Sequence, residues 1–136
     1  MADPTRIRVR GFHLDLYGHV NNARYLEFLE EARWDQLREH LDFDWWQARN
    51  LAFVIANIDI DFRRPAGMDD ELLVDVTLKT LGERSGVLHQ RVVRSDGVLV
   101  AEADVTFVIF DGGAATVVPI EGEIRERLAR AGAQLE

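Results

Sequence analysis

From residue 51 to residue 110 the chain alternates apolar and polar side chains with period two, interrupted only by short turn clusters. Period-two alternation is the mark of strands that bury one face. Residues 51–64, LAFVIANIDIDFRR, place Val54, Ala56, Ile58, Ile60 and Phe62 on one face and Asn57, Asp59, Asp61 and Arg63 on the other. Pro65-Ala66-Gly67 ends that strand. Leu72, Val74, Val76 and Leu78 alternate in the next, which Gly82 breaks. Residues 86–94 form a third strand, and Ser95-Asp96-Gly97 reads as a hairpin turn. Residues 98–110 form a fourth, with Leu99, Ala101, Ala103, Val105, Phe107 and Ile109 sharing a face before Asp111-Gly112-Gly113 closes it. Successive strands joined by tight turns pair antiparallel.

Such a sheet needs a cover for its apolar face, and the sequence supplies one long helical pattern. Residues 23–41 contain no Pro or Gly, and Tyr25, Phe28, Leu29 and Ala32 fall on one arc, extended by Leu26 and Leu37. Glu27, Glu31, Trp34 and Arg38 fall opposite; Glu30 lies at the border, and Arg33 falls inside the apolar arc, three residues from Glu30 and able to pair with it. Asn21 or Asn22 caps this helix. A short strand is expected over Arg6–Phe12, and a loop or helical turn over Asp42–Asn50. A short amphipathic helix, opened by proline, is expected over Pro119–Arg130. The order is strand, helix, then four long strands, which is an α+β architecture with a helix laid on an antiparallel sheet. One helix leaves part of the apolar face over, and a homodimer or larger assembly would cover it.

The chain has 136 residues, 47% of them apolar, and shows no internal repeat or linker, so residues 1–136 read as one domain. The absence of cysteine removes disulfides, thiol nucleophiles and thiolate metal sites. A net charge of −8 argues against general nucleic-acid binding. Fifteen of the sixteen cations are arginine, with Lys79 the exception, so small anionic ligands stay open. No segment approaches a membrane span and the N-terminus lacks a signal-peptide core, so the protein is read as cytoplasmic.

Just before the long helix stands HLDLYGHVNNARY, residues 13–25, which crowds His13, Asp15, His19, Asn21 and Asn22 against a helix start. The frame D-x-x-G-H-V-N-N-A-R-Y followed by F-L-E-E-A-R resembles the hotdog-fold acyl-CoA thioesterases, in particular the 4-hydroxybenzoyl-CoA thioesterase-like group. Asp59-Ile60-Asp61-Phe62-Arg63-Arg64-Pro65, with Gly67 and Asp70, resembles that family's second strand and turn, so the likeness spans the chain. The resemblance implies a curved antiparallel sheet wrapped around one long central helix. It also implies sheets joined edge to edge in a homodimer or homotetramer, active sites at the subunit interface, and hydrolysis of an acyl-CoA thioester. No metal or cofactor is implied beyond the CoA of the substrate. The family's catalytic carboxylate falls on Asp15. Related acyl-carrier-protein thioesterases pair an aspartate and a histidine in a D-x-x-x-H frame, matched here by Asp15 and His19. One departure stands out: many members carry D-x-D, and His13 replaces the first of those aspartates.

Thioester hydrolysis needs a nucleophile, a resting place for an oxyanion and a proton for the leaving thiolate. Asp15 supplies the first by attacking directly or by activating water. Free N–H groups near Val20 to Ala23, at the positive end of the helix, supply the second. His19 polarises the carbonyl, orients water or holds Asp15 ionised, and otherwise is a hydrogen-bonding histidine. Asn21 and Asn22 orient the carbonyl or cap the helix. Glu30 is a second catalytic candidate for its own or a neighbouring subunit, or a structural partner of Arg33. Tyr17 and Tyr25 line the acyl pocket or pack. Arg63, Arg64, Arg84, Arg91 and Arg94 are candidates for the CoA phosphates, against the plain reading of solvated surface charge. Trp34, Trp45, Trp46 and Phe53 are candidate walls of an acyl tunnel. The order H-x-D-x-x-x-H over residues 13–19 offers metal-ligand types, but not at a tight zinc spacing. Two competing functions remain beside thioester hydrolysis: a hotdog-fold acyl-thioester dehydratase or hydratase, and a non-catalytic binding module for acyl-CoA or acyl carrier protein.

Overall fold

The computed structural model describes residues 3–136. The turns do produce an antiparallel sheet, and it has seven strands. The strands are β1 (Thr5–Arg8), β2 (Leu51–Phe62), β3 (Glu71–Val74), β4 (Thr77–Leu81), β5 (Gly86–Arg94), β6 (Leu99–Asp111) and β7 (Thr116–Val118). The main path runs β1-β3-β5-β6-β2, with β4 also on β5 and β7 also on β6. The helices are α1 (Asn22–Leu41), α2 (Phe43–Ala48) and α3 (Gly122–Leu135). Tyr25, Phe28, Leu29, Ala32 and Leu37 of α1 are buried in one core with Leu72, Val74, Leu88, Val105, Phe107 and Ile109 of the sheet. A sheet wrapped around one long helix is the hotdog arrangement.

Several expectations need correction. The β2 face is Leu51, Phe53, Ile55, Ile58 and Ile60, not Val54, Ala56, Ile58, Ile60 and Phe62. The pairing with β6 shifts between Ile55 and Asn57, so Ala56 is an extra residue that reverses the parity of everything before it. Val54 is consequently 40% exposed. The strand expected from Leu72 to Leu78 is two strands, because Asp75 turns aside: its carboxylate takes the backbone N–H of Arg91 at 2.8 Å and that residue's guanidinium at 2.7 and 2.9 Å. The N-terminal strand stops at Arg8, and Gly11–His13 is a 3-10 turn closed by the Arg10 N–H donating to His13 Nδ1 at 2.8 Å. The C-terminal helix starts at Gly122, past Pro119, and runs to Leu135, since Leu128, Ala131 and Leu135 have a core to bury in. Arg33 donates to Gln90 Oε1 at 3.0 Å and makes no ion pair with Glu30 within 4.0 Å. Leu26, assigned to the buried arc, is 41% exposed.

Two placements matter for function. β2 ends the path, so its outer edge has no neighbour among the described residues. Long open edges are a liability that proteins usually cover. No helix among the described residues is long and apolar enough to cross a membrane.

Candidate active site

The loop from Leu14 to Val20 is a small hairpin that bends at Gly18, whose φ of 78° suits glycine. Asp15 organises it from both sides. Its N–H donates to the His19 carbonyl at 2.7 Å, and its carbonyl accepts from Gly18 at 3.1 Å. Its Oδ1 accepts the backbone N–H groups of Tyr17 at 2.9 Å and His19 at 3.2 Å. Oδ2 has no protein partner among the described residues. The loop is pinned to the turn after β2: Val20 N–H donates to Ala66 O at 2.9 Å, and His19 bridges to Gly67.

This pinning brings the start of α1 beside Asp15. Asn21 is the N-cap, with its Oδ1 accepting from Ala23 N–H at 3.0 Å. Of the N–H groups from Val20 to Ala23, three are engaged, to Ala66 O, His13 O and the Asn21 side chain. The Asn22 N–H alone has no partner among the described residues, and it sits at the positive end of a 20-residue helix.

Asp15, His19, Asn22 and Tyr25 share a cleft of 270 Å³ with Phe62, Arg63 and Arg64 at the end of β2. Tyr25 is buried against Phe28 and Phe62, at ring distances of 5.9 and 5.6 Å. Burial first, and the Asp70 carboxylate second, push its hydroxyl up to about 12, so it stays a donor at neutral pH. The Arg64 guanidinium meets no carboxylate among the described residues and donates only to the Arg63 carbonyl, at 2.8 Å. Arg63 is held by Glu102 across β6, with Asp61 3.7 Å away.

The remaining candidates lie elsewhere. Tyr17 is 80% exposed and outside the lining of the cleft, though its N–H holds Asp15. Glu30 lines a second cavity farther along α1. Arg91 is taken by Asp75, and Arg84 sits in the β4–β5 turn, 3.5 Å from Val117 O. Arg94 is paired with Asp96 at 2.9 Å. Trp34 and Phe53 line the second cavity; Trp45 lies between the guanidinium groups of Arg49 and Arg127, each 4.1 Å from its ring centre. His13 packs edge-on against Phe28 at 5.0 Å, and desolvation, then the nearby Arg24 charge, hold its imidazole below the usual histidine range.

Two features escape the sequence reading. Gln90, fully buried in β5, accepts from Arg33 and donates to Leu29 O at 3.0 Å. On the outer face of the sheet, His89 Nδ1 lies 2.8 Å from Asp104, which also takes Lys79 at 2.7 Å. The Lys79 bond first, and the His89 bond second, hold the Asp104 carboxyl below its usual range. The register between β5 and β6 would have revealed the second pair, since His89 and Asp104 are directly opposite. Among the described residues no group of three His, Asp or Glu side chains is placed to hold a metal ion.

The likeness to known proteins covers the same elements. Over 125 residues, 91% of this chain and 95% of the relative, the sequence is 50% identical to the long-chain acyl-CoA thioesterase FadM of Escherichia coli K12. The YbaW probable thioesterase of E. coli superposes with a TM-score of 0.91 at 46% identity, covering 99% of this chain and 100% of that one. A thioesterase of Thermus thermophilus, solved with coenzyme A and zinc, gives 0.79 at 32% identity over 96% of each chain. The family model of the thioesterase-like superfamily matches residues 9–128, from the end of β1 into α3, and so takes in the Asp15 loop, α1 and the entire sheet path except β1. With the fold, the motif and the match in agreement, the chain belongs to the thioesterase-like superfamily.

Proposed function

We propose that residues 1–136 form one domain that hydrolyses long-chain acyl-CoA thioesters to the free acid and CoA in the cytoplasm, with no metal or other cofactor. The observation that carries this reading is the meeting of Asp15 with the unpartnered Asn22 N–H at the start of α1, in one cleft. The thioester carbonyl binds at that N–H, where the helix terminus favours the negative charge that develops on its oxygen. Asp15 keeps Oδ1 on the loop amides and turns the free Oδ2 toward the carbonyl carbon or toward a water. In the first route an anhydride forms as the C–S bond breaks, and water then cleaves the anhydride; in the second, Asp15 takes the water's proton. Either route needs an ionised carboxylate. His19, in the same cleft, orients the water or protonates the departing thiolate. Tyr25 donates from the wall of the cleft, and Arg64, free of any carboxylate among the described residues, meets a CoA phosphate. The reading of long acyl chains is supported by the half-identical relative named for them.

The cleft opens beside the end of β2, whose outer edge is unpaired among the described residues. We place the contact between two copies of the chain there, so that each cleft is completed at a homodimer interface, alone or within a homotetramer.

The test is release of free thiol from a panel of acyl-CoAs, with wild type and Asp15→Asn compared. Turnover that falls at least about a hundredfold in the variant is expected. Equal turnover in both would remove Asp15 from the chemistry, and enoyl-CoA hydration without thiol release would replace hydrolysis with the hydratase reading.

A further inference from the structure

A second cavity of 320 Å³ lies between α1, α2 and the first half of β2. Its walls are apolar: Trp34, Leu37, Phe43, Phe53 and Ile55 are among them. Two charged side chains break that surface, Glu30 and Arg33, one helical turn apart on α1.

Arg33 is the anomaly. It is only 7% exposed, yet no carboxylate of the described residues lies within 4.0 Å of it, and its one side-chain bond is Nη1 to Gln90 Oε1 at 3.0 Å. A guanidinium has five N–H donors, so most of them remain for the cavity. Gln90 is locked in turn by Leu29 O, so the guanidinium is held in place rather than swinging. The Glu30 carboxylate, on the exposed side of the cavity, accepts no hydrogen bond from a side chain of the described residues. A fixed donor-only group and an unpaired acceptor therefore face one apolar-walled space, close to each other but not bonded.

A saturated acyl chain is a poor occupant of that space. It would displace water from Arg33 and leave charged donors facing methylenes, which costs free energy that nothing returns. A hydroxyl answers both groups at once: its oxygen accepts from Arg33 and its O–H donates to the Glu30 carboxylate. On the acyl-CoA reading above, on which it rests, we propose that this cavity holds the acyl chain and that Arg33, with Glu30, selects chains carrying a hydroxyl group. Arg33 then determines specificity, while the chemistry stays at the Asp15 cleft. A ketone satisfies Arg33 alone and ranks between the hydroxylated and the plain chain.

Arg33 stands eleven residues, about 16 Å, along α1 from the Asn22 N–H. The experiment therefore compares kcat/KM for 12-hydroxyacyl-CoA with the unsubstituted acyl-CoA of equal length. The 3-hydroxy isomer, whose hydroxyl lies too near the thioester to reach Arg33, is the control. Wild type is expected to favour the 12-hydroxy chain over the plain chain by about tenfold or more, the scale of losing one hydrogen bond to a charged group. In Arg33→Met and in Glu30→Leu that ratio is expected to fall toward one. Glu30 is exposed, so Glu30→Leu carries the test even if Arg33→Met does not fold. Calorimetric binding of the same CoA esters to Asp15→Asn gives the ratio without turnover. Wild type showing no preference for the 12-hydroxy chain, or the same preference for the 3-hydroxy control, would overturn the proposal, as would a preference that survives both variants. Failure of the thioesterase reading looks different: no thiol is released from any ester, while the binding ratio still reports on the cavity.

Discussion

Gln90 couples α1 to the sheet, and its replacement has a size that can be worked out. Gln90→Leu keeps the volume nearly constant in a position that is 0% exposed. It removes the acceptor of Arg33 at 3.0 Å, the donor to Leu29 O at 3.0 Å and a long contact to Asp75 O at 3.5 Å. The bond to the guanidinium is the largest loss, about 1.5–3 kcal/mol, because Arg33 keeps its charge and loses its only side-chain partner among the described residues. Leu29 O already accepts within the helix, so its second bond adds only about 0.5–1 kcal/mol, and the Asp75 contact adds less. The net destabilisation expected is about 3 kcal/mol, or about 10 °C in Tm for a chain of this length. Urea unfolding at a fixed protomer concentration measures it, since any association would otherwise shift the midpoint. A double-mutant cycle isolates the pair. Arg33→Met removes the charge that Gln90→Leu strands, so the double variant should be at least about 1.5 kcal/mol more stable than the sum of the singles predicts. A loss below about 1 kcal/mol in Gln90→Leu, or strict additivity in the cycle, would refute the idea that Gln90 is the counterpart of a buried charge.

Three further outcomes are expected. Gly86→Ala would place a Cβ 2.3 Å from Phe107 Cζ, in a ring stacked on Phe53 at 4.2 Å, so it should cost about 1–3 kcal/mol by thermal unfolding, and Phe107→Leu should recover part of the loss. Asp15→Ala should be less stable than Asp15→Asn by about 1 kcal/mol in thermal unfolding, because alanine loses the acceptor for the Tyr17 and His19 N–H groups while asparagine retains one; equal stability would show that those bonds do not hold the loop. His13 has a folded-state pKa below its ordinary value of 6.5, so the unfolded chain binds the proton more readily and the neutral imidazole's contribution is lost as pH falls from about 6.5 through the folded value. Between about pH 7 and 5 the Tm of wild type should therefore drop more than that of His13→Gln, and parallel curves would show that His13 does not contribute.

How much of this is legible in the sequence follows from the distance over which each feature is decided. The Asp15 loop is legible because its bonds are local: the carboxylate reaches residues 2 and 4 positions on, and the Asn21 cap reaches 2. The strand turns are legible for the same reason. Failures come where a distant residue intervenes. Nothing within residues 51–62 announces the extra residue at Ala56; it is defined only by the register with β6, and one shifted residue exchanges the inner and outer faces of half a strand. Asp75 breaks an otherwise regular alternation because Arg91, 16 residues away, takes its carboxylate.

The arginines show the same rule acting on function. Arg63, Arg64, Arg84 and Arg91 look alike as sequence, and each is an equal candidate for a phosphate. The sheet register then separates them: Arg63 meets Glu102, 39 residues later, and Arg91 meets Asp75, while Arg64 stands in the cleft with no carboxylate among the described residues. Arg33 inverts the case. Its place in an apolar arc suggests a local pair with Glu30, three residues away, and a pair of that kind would neutralise both and close the matter. Gln90, 57 residues distant, holds the guanidinium from the sheet side without neutralising it. The guanidinium faces the cavity that it and Glu30 line, with donors left over, and a polar group on a bound chain would meet it there.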